Sequence, residues 1–273
     1  MKGKKGGLPS KPASESVSDT VIPGVGRSEE KSMTQDFSKV EPETSGLALN
    51  LKPGDEHYRA YVGPPKEYDL VSAMVFNLLT SIGLRQHHRV LDVGCGSLRV
   101  GRLLIPYLNE GQYIGVEPNK WLVEDGIANE LGKDLVRIKK PTFSFRASMD
   151  DFKDSLNLDY AIAQSIFSHC GEDLIRRWLS QVSFHLKDNA AIVATFLIGT
   201  EDYGGHGWVY PGCVRYKPET LTRLAAEFDL DFRVLDWTHP RQTWALFSKK
   251  NYDKSLIDGG PISWNRFCAK TAG

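Results

Sequence analysis

Three things are scarce in this sequence of 273 residues: charge imbalance, paired cysteines and long apolar runs. Lysine plus arginine and aspartate plus glutamate each number 34. No net positive field therefore exists to hold a polyanion, and nucleic acid is not an expected partner, although a local basic patch stays open. Cys95, Cys170, Cys213 and Cys268 stand far apart with no CxxC pair, which argues against a zinc site and a disulfide framework and leaves no metal to expect. No run of about 18 apolar residues occurs, and the charged start Met1-Lys2-Gly3-Lys4-Lys5 has no apolar stretch behind it. The expectation is a soluble, unexported, cytoplasmic chain without a membrane span.

Residues 1–55 are glycine, serine, proline, lysine and glutamate with apolar residues at no fixed period. Such a segment buries too little surface to offset its ordering entropy, so a disordered tail is expected, either a solvated extension or a segment that folds on a partner. A single domain is expected over 56–273. Leu70, Val71, Met74, Val75, Leu78, Leu79 and Ile82 form a helical stripe stopped by Gly83. Residues 89–93 then read as a buried strand and 94–97 as a tight turn into a helix carrying Val100, Leu103, Leu104 and Leu108, which Pro106 shortens or kinks.

Further strands are expected at 112–116, 142–145, 158–163 and 190–196, with helices at 121–131, around 174–182 and from Pro218. Segments 231–237 and 243–248, joined by the short turn 238–242, read as a terminal antiparallel hairpin. The pattern predicts an α/β, doubly wound, mostly parallel sheet with one reversed strand and helices on both faces.

In such a sheet ligands bind beyond the carboxyl ends of the strands. Asp92 ends the first strand, Gly94 and Gly96 let the backbone pass close to a ligand, and Glu117 ends the second strand, where a carboxylate accepts two ribose hydroxyl protons. A GxGxxG dinucleotide fingerprint would need glycine where Arg99 stands, and a pyrophosphate has little use for Asp92. A cationic ligand with a ribose and no phosphates fits better, and S-adenosylmethionine has that inventory.

The stretch Val90-Leu91-Asp92-Val93-Gly94-Cys95-Gly96-Ser97 resembles the first motif of class I S-adenosylmethionine-dependent methyltransferases, and Tyr113-Ile114-Gly115-Val116-Glu117-Pro118 resembles their second. Asp150 or Asp151 matches the acidic position that meets the adenine amino group, and either would serve as a helix cap as well. Residues 159–169, with Gln164, are similar to the family's fourth-strand segment. The likeness spans roughly 57–248 and implies a seven-stranded sheet with its last strand antiparallel. It implies a cofactor site of Asp92, Gly94, Cys95, Gly96, Glu117, Pro118, Asp150, Asp151 and Gln164. Leu98 departs from it, standing where many members have a third glycine.

For the acceptor, methyl transfer needs alignment of the nucleophile, and a base only where the acceptor must lose a proton. His169 follows the fourth strand and is a candidate base, with His206 a second; packing or capping is the plainer role for His169. The loop 202–211, dense in glycine and aromatics, suits a mobile cover or is a mere connection. Tyr61, Trp208, Tyr210, His239 and Arg241 are the acceptor-side candidates, Arg241 binding a carboxylate or phosphate on the acceptor or pairing with a surface acid. The expected activity is metal-free methylation of a small-molecule or sugar-like acceptor at oxygen. A protein methyltransferase and a non-catalytic cofactor-binding scaffold are the alternatives.

Overall fold

The computed structural model describes residues 45–259. Cys268 and positions 1–44 of the expected tail lie outside the described residues. Positions 45–55, also assigned to that tail, are described: Ser45–Leu47 make a 3₁₀ turn, Ala48 is buried, and the Gly54 N–H donates to the Ala60 carbonyl at 3.0 Å.

Helix α1 (Tyr58–Tyr61) is capped by His57, whose Nδ1 accepts the Arg59 N–H at 3.2 Å. Helix α2 (Tyr68–Ser81) buries Val71, Val75, Leu78 and Leu79, the 3.6-residue period that the stripe predicts. It stops at Gly83, whose φ of +110° lets the Leu84 N–H reach back to the Leu79 carbonyl at 2.8 Å.

Strands β1 (Val90–Val93), β2 (Tyr113–Val116), β3 (Thr142–Ser144), β4 (Leu158–Ala163), β5 (Leu186–Ile198), β6 (Arg215–Tyr216), β7 (Asp231–Leu235) and β8 (Thr243–Ser248) follow in the chain. The main sheet runs β3-β2-β1-β4-β5-β8-β7, with the two-residue β6 beside the end of β5. Among the paired strands only β8 is reversed, antiparallel to both β5 and β7. The sheet is therefore the mostly parallel seven-stranded one expected, with its terminal hairpin.

Between the strands lie α3 (Gly101–Tyr107), α4 (Lys120–Gly126), α5 (Lys133–Lys139), α6 (Glu172–His185), α7 (Pro218–Ala226) and, after β8, α8 (Ser255–Asp258). Pro106 falls in the last turn of α3, which is seven residues long. The helix expected over 121–131 is α4 followed by a π-helical turn, Ile127–Leu131, ended by Gly132 at φ +87°. Helix α5 has no buried residue and hence no apolar stripe to announce it.

Alternation along β1 sorts the two cores. Leu91 and Val93 pack with Ile175 and Leu179 of α6 and with Leu221 and Leu224 of α7. Val90 joins Val71, Val75 and Leu78 of α2, Leu104 of α3 and Tyr113 of β2 on the opposite face. Each such aliphatic side chain, fully buried, contributes about 1.5–3 kcal/mol. The same period of two puts Asp92 on the Val90 face, as the buried polar residue of β1 beside Tyr113.

Candidate active site

Sheet order reverses between β1 and β4, the place where an open α/β sheet leaves a crevice beyond its strand ends. Asp92, Gly94, Cys95, Gly96, Arg99 and Gln164 line a cleft there together with Val62. Gly94 and Gly96 take φ values of +65° and +54°. The Gly94 and Cys95 N–H groups donate to the Val116 carbonyl (2.8 and 3.1 Å), and the Gly96 N–H to Glu117 Oε2 at 3.1 Å. A Cβ on Gly96 would stand 2.7 Å from Val62 Cγ1, and one on Gly94 would collide with Ile166. Both glycines are thus required by conformation and by space.

Leu98 keeps the conformation of the glycine it replaces: its φ is +60°, and its side chain is fully buried. The turn therefore follows the path expected of the motif, at a strain of about 1–2 kcal/mol for a left-handed branched residue.

Glu117 is 7% exposed; its Oε1 accepts the Asn119 N–H at 2.8 Å and the Asn119 Nδ2 at 2.9 Å. Burial raises its pKa, and the donors from Asn119 and Gly96 oppose that rise. Asp92 is also buried, and its Oδ2 accepts the Tyr113 hydroxyl at 2.8 Å. Burial pushes its pKa up to about 7 against the Tyr113 bond and the Arg99 charge.

Arg99 is the residue that sequence reasoning missed. It is 6% exposed, and its Nη2 donates to Gln164 Oε1 at the end of β4. Burial lowers its pKa, and the charge of Arg241 adds to that effect. Its carbonyl accepts the Ser72 hydroxyl of α2 at 2.5 Å, which fixes the backbone where the guanidinium enters the cleft. An acid and a buried guanidinium around a glycine turn fit the ammonium and carboxylate of an amino acid, and Glu117 beside them fits a ribose diol. The residues present thus fit S-adenosylmethionine.

The adenine-side candidates are exposed. Asp150 accepts the Ser148 hydroxyl at 2.7 Å and Gln181 Nε2 at 3.4 Å. Asp151 accepts the Ser144 hydroxyl at 2.6 Å and Arg146 Nε at 2.5 Å. The Ser144 carbonyl accepts the Glu117 N–H at 3.0 Å, so Asp151, rather than Asp150, is tied to the strand end that bears Glu117. Pro118 follows Glu117 and is exposed.

The loop after β5 wraps a 3₁₀ turn, Phe167–His169: the Val209 N–H donates to the His169 carbonyl at 2.9 Å and the Val214 N–H to the Ser168 carbonyl at 2.8 Å. His169 is buried, and its Nδ1–H donates to the Gly212 carbonyl at 2.6 Å, so Nε2 carries the lone pair. Burial lowers its pKa, a backbone carbonyl opposes, and Arg241 lowers it further. Trp208 and Tyr210 stand 5.6 and 4.9 Å from its ring, and the Tyr210 hydroxyl donates to the Tyr61 carbonyl.

His239 lies in the turn between β7 and β8, where its Nδ1 accepts the Arg241 and Gln242 N–H groups at 3.1 and 2.9 Å. Arg241 Nη2 lies 2.9 Å from Glu67 Oε2, the acid pairing weighed from sequence. Beyond burial, the charge of Arg241 lowers the pKa of His169, His239 and Arg99. His206 stands apart from them: its side chain is 85% exposed and faces Asp173 of α6, with Nδ1 at 3.8 Å from Oδ1.

Residues 91–192, from β1 into β5, match a family model described as a methyltransferase domain. No curated protein matches the chain. Magnesium protoporphyrin IX methyltransferase from Synechocystis PCC 6803, solved with S-adenosylmethionine, superposes with a TM-score of 0.54 at 11% identity over 83% of this chain and 100% of that one. Its complex with S-adenosylhomocysteine gives 0.53 at 12% identity over 68% and 85%. An O-methyltransferase family protein from Burkholderia thailandensis gives 0.53 at 11% identity over 72% and 59%. At such identities the likeness is one of fold, and the match over 91–192 adds the domain. The chain thus carries a methyltransferase domain over residues 91–192 and has the fold seen in S-adenosylmethionine-dependent methyltransferases.

Proposed function

We propose that the chain methylates a hydroxyl oxygen of a small-molecule or sugar-like acceptor, with His169 as the base. In this reading Asp92 and Arg99 hold the amino acid end of the methyl donor, Glu117 its ribose, and Gln164 keeps Arg99 in place. S-adenosylmethionine supplies an electrophilic methyl group on a sulfonium. His169 would take the acceptor's hydroxyl proton at Nε2 as the oxygen bonds to the methyl carbon and the carbon–sulfur bond breaks, its electron pair leaving with S-adenosylhomocysteine. Trp208, Tyr210 and Tyr61 exclude water and present ring faces to a cationic donor.

The observation that carries the reading is the His169 hydrogen bond to the Gly212 carbonyl. It fixes the tautomer with a free lone pair at Nε2, and the downward pKa shift keeps that imidazole neutral near pH 7. The test is transfer of labelled methyl from S-adenosylmethionine to metabolite fractions, followed by mass analysis of the product. His169→Asn retains a donor for the Gly212 carbonyl and removes the base; kcat is expected to fall by about 10²–10⁴ with donor affinity unchanged. Undiminished kcat in His169→Asn, or a label found only on protein, rejects the proposal.

A further inference from the structure

The turn between β7 and β8 holds polar groups that neither the cofactor site nor the base explains. His239 spends its Nδ1 lone pair on two backbone N–H groups, so Nε2 bears the proton. That Nε2 is buried and has no partner. Gln242 Nε2 donates to the Ser165 hydroxyl at 2.8 Å, which leaves Gln242 Oε1 buried and unpaired. Ser165 follows Gln164 at the end of β4, has a φ of +58°, and is held by its N–H on Thr195 Oγ1 at 2.7 Å. A strained serine and unpaired buried groups at a strand end mark a place built for a ligand.

The charges that act on the two histidines of that place are positive. Those that bear on the His239 ring are Arg99 and Arg241, and the one that bears on His169 is Arg241. Glu67 Oε2 lies 2.9 Å from Arg241 Nη2. A bound methyl donor satisfies Arg99 with its own carboxylate but adds a sulfonium, so the field over His239 stays positive.

We infer that the acceptor carries an anionic oxygen group, a carboxylate or a phosphate, received by His239 Nε2–H and Arg241 while its hydroxyl meets His169. This rests on the acceptor face proposed above and adds the acceptor's charge. Such an anion supplies the missing partner for a buried N–H and a charge-assisted bond to a guanidinium, the stronger kind of hydrogen bond.

The experiment is calorimetry on protein saturated with S-adenosylhomocysteine, which keeps Arg99 engaged, using benzoate, phenyl phosphate and neutral benzamide as probes. At least one anion is expected to bind about tenfold or more tightly than benzamide. Preference for benzoate assigns a carboxylate and preference for phenyl phosphate a phosphate. His239→Asn keeps an acceptor for the two turn N–H groups and loses the Nε2–H. This variant and Arg241→Gln should each weaken anion binding about tenfold, with S-adenosylhomocysteine affinity unchanged. Benzamide binding as well as the anions, anion affinity indifferent to both variants, or no anion binding overturns the inference. Failure of S-adenosylhomocysteine to bind strikes instead at the assignment of the cofactor cleft.

Discussion

The Tyr113 hydroxyl donates to the Asp92 carboxylate across 2.8 Å, joining the start of β2 to the end of β1 beside the candidate cleft. Both groups are buried, and burial holds the Asp92 pKa at about 7, far above its ordinary value near 3.8. An acid with a raised folded pKa adds stability below its unfolded value and loses that contribution as pH climbs toward 7. A ligand ammonium binds the ionised form, so S-adenosylhomocysteine affinity should rise between pH 6 and pH 8, with proton release on binding at pH 6. Tyr113→Phe removes a bond to the carboxylate and should move the rise to higher pH. Calorimetry in two buffers of different ionisation enthalpy measures both; affinity that is flat across this window refutes the role of Asp92.

Glu117 ties the glycine turn to the end of β2 through the Gly96 N–H. Glu117→Ala should weaken S-adenosylhomocysteine binding by about 1–3 kcal/mol, because two ribose hydroxyls lose a charged acceptor. Glu117→Gln, which preserves volume, should recover part of that loss. Equal affinity of Glu117→Ala and wild type would place the ribose elsewhere.

Leu98 sets two effects against each other. Glycine at this position relieves about 1–2 kcal/mol of left-handed strain, whereas removing a fully buried leucine costs about 2–5 kcal/mol. The cavity wins, so Leu98→Gly should lower unfolding stability by about 1–3 kcal/mol although it restores the residue common in the family. Urea denaturation that shows the variant more stable than wild type would mean that its neighbours collapse into the space.

That Asp92, Gly94, Gly96 and Glu117 gather at the strand ends is legible because strand ends and glycine turns announce themselves in short stretches of sequence. Arg99 is not, since nothing local distinguishes an arginine that enters a cleft from one that leaves a helix for solvent; its burial depends on Gln164, 65 positions away. Helix α5 was missed because it buries nothing, and β6 because two residues carry no period. His206 is a histidine in an aromatic loop, and its neighbour Gly207 donates its N–H to Asp173 at 3.0 Å and holds that part of the loop on α6. Ser165 and Gln242 acquire meaning only when β4 and the turn after β7 are brought together.

Arg59 fastens the segment that carries Tyr61 and Val62. Its guanidinium reaches Glu130 at 2.5 Å and Asp69 at 3.0 Å, and it lies 4.6 Å from the Tyr68 ring centroid. The Glu130 side chain is 7% exposed, with Arg102 as a second cation at 3.6 Å. Arg59→Met leaves that carboxylate short of its main partner and should destabilise the fold by about 2–4 kcal/mol. Arg59→Met with Glu130→Gln should cost less than the sum of the two alone, and strict additivity in denaturation experiments would show that the pair is not coupled.

The bond from the Tyr210 hydroxyl to the Tyr61 carbonyl joins the loop after β5 to the segment lying on the glycine turn. Tyr210 also stacks on Trp208 at 6.0 Å and meets the His169 ring edge-on at 4.9 Å, and Tyr61 packs on Trp121, 5.2 Å away. One hydroxyl therefore couples the cofactor side to the acceptor side. Tyr210→Phe keeps every ring contact and deletes the coupling, so it should leave the fold within about 1 kcal/mol of wild type. Its effect should fall on binding: KM for the acceptor rises while kcat holds, because the His169 tautomer is set by the Gly212 carbonyl and not by Tyr210. Trp208, 52% exposed, covers the same space with contact area alone, and Trp208→Ala should raise KM by a similar or larger factor. A fall in kcat with unchanged KM in either variant would move these rings from holding the acceptor to the chemical step itself.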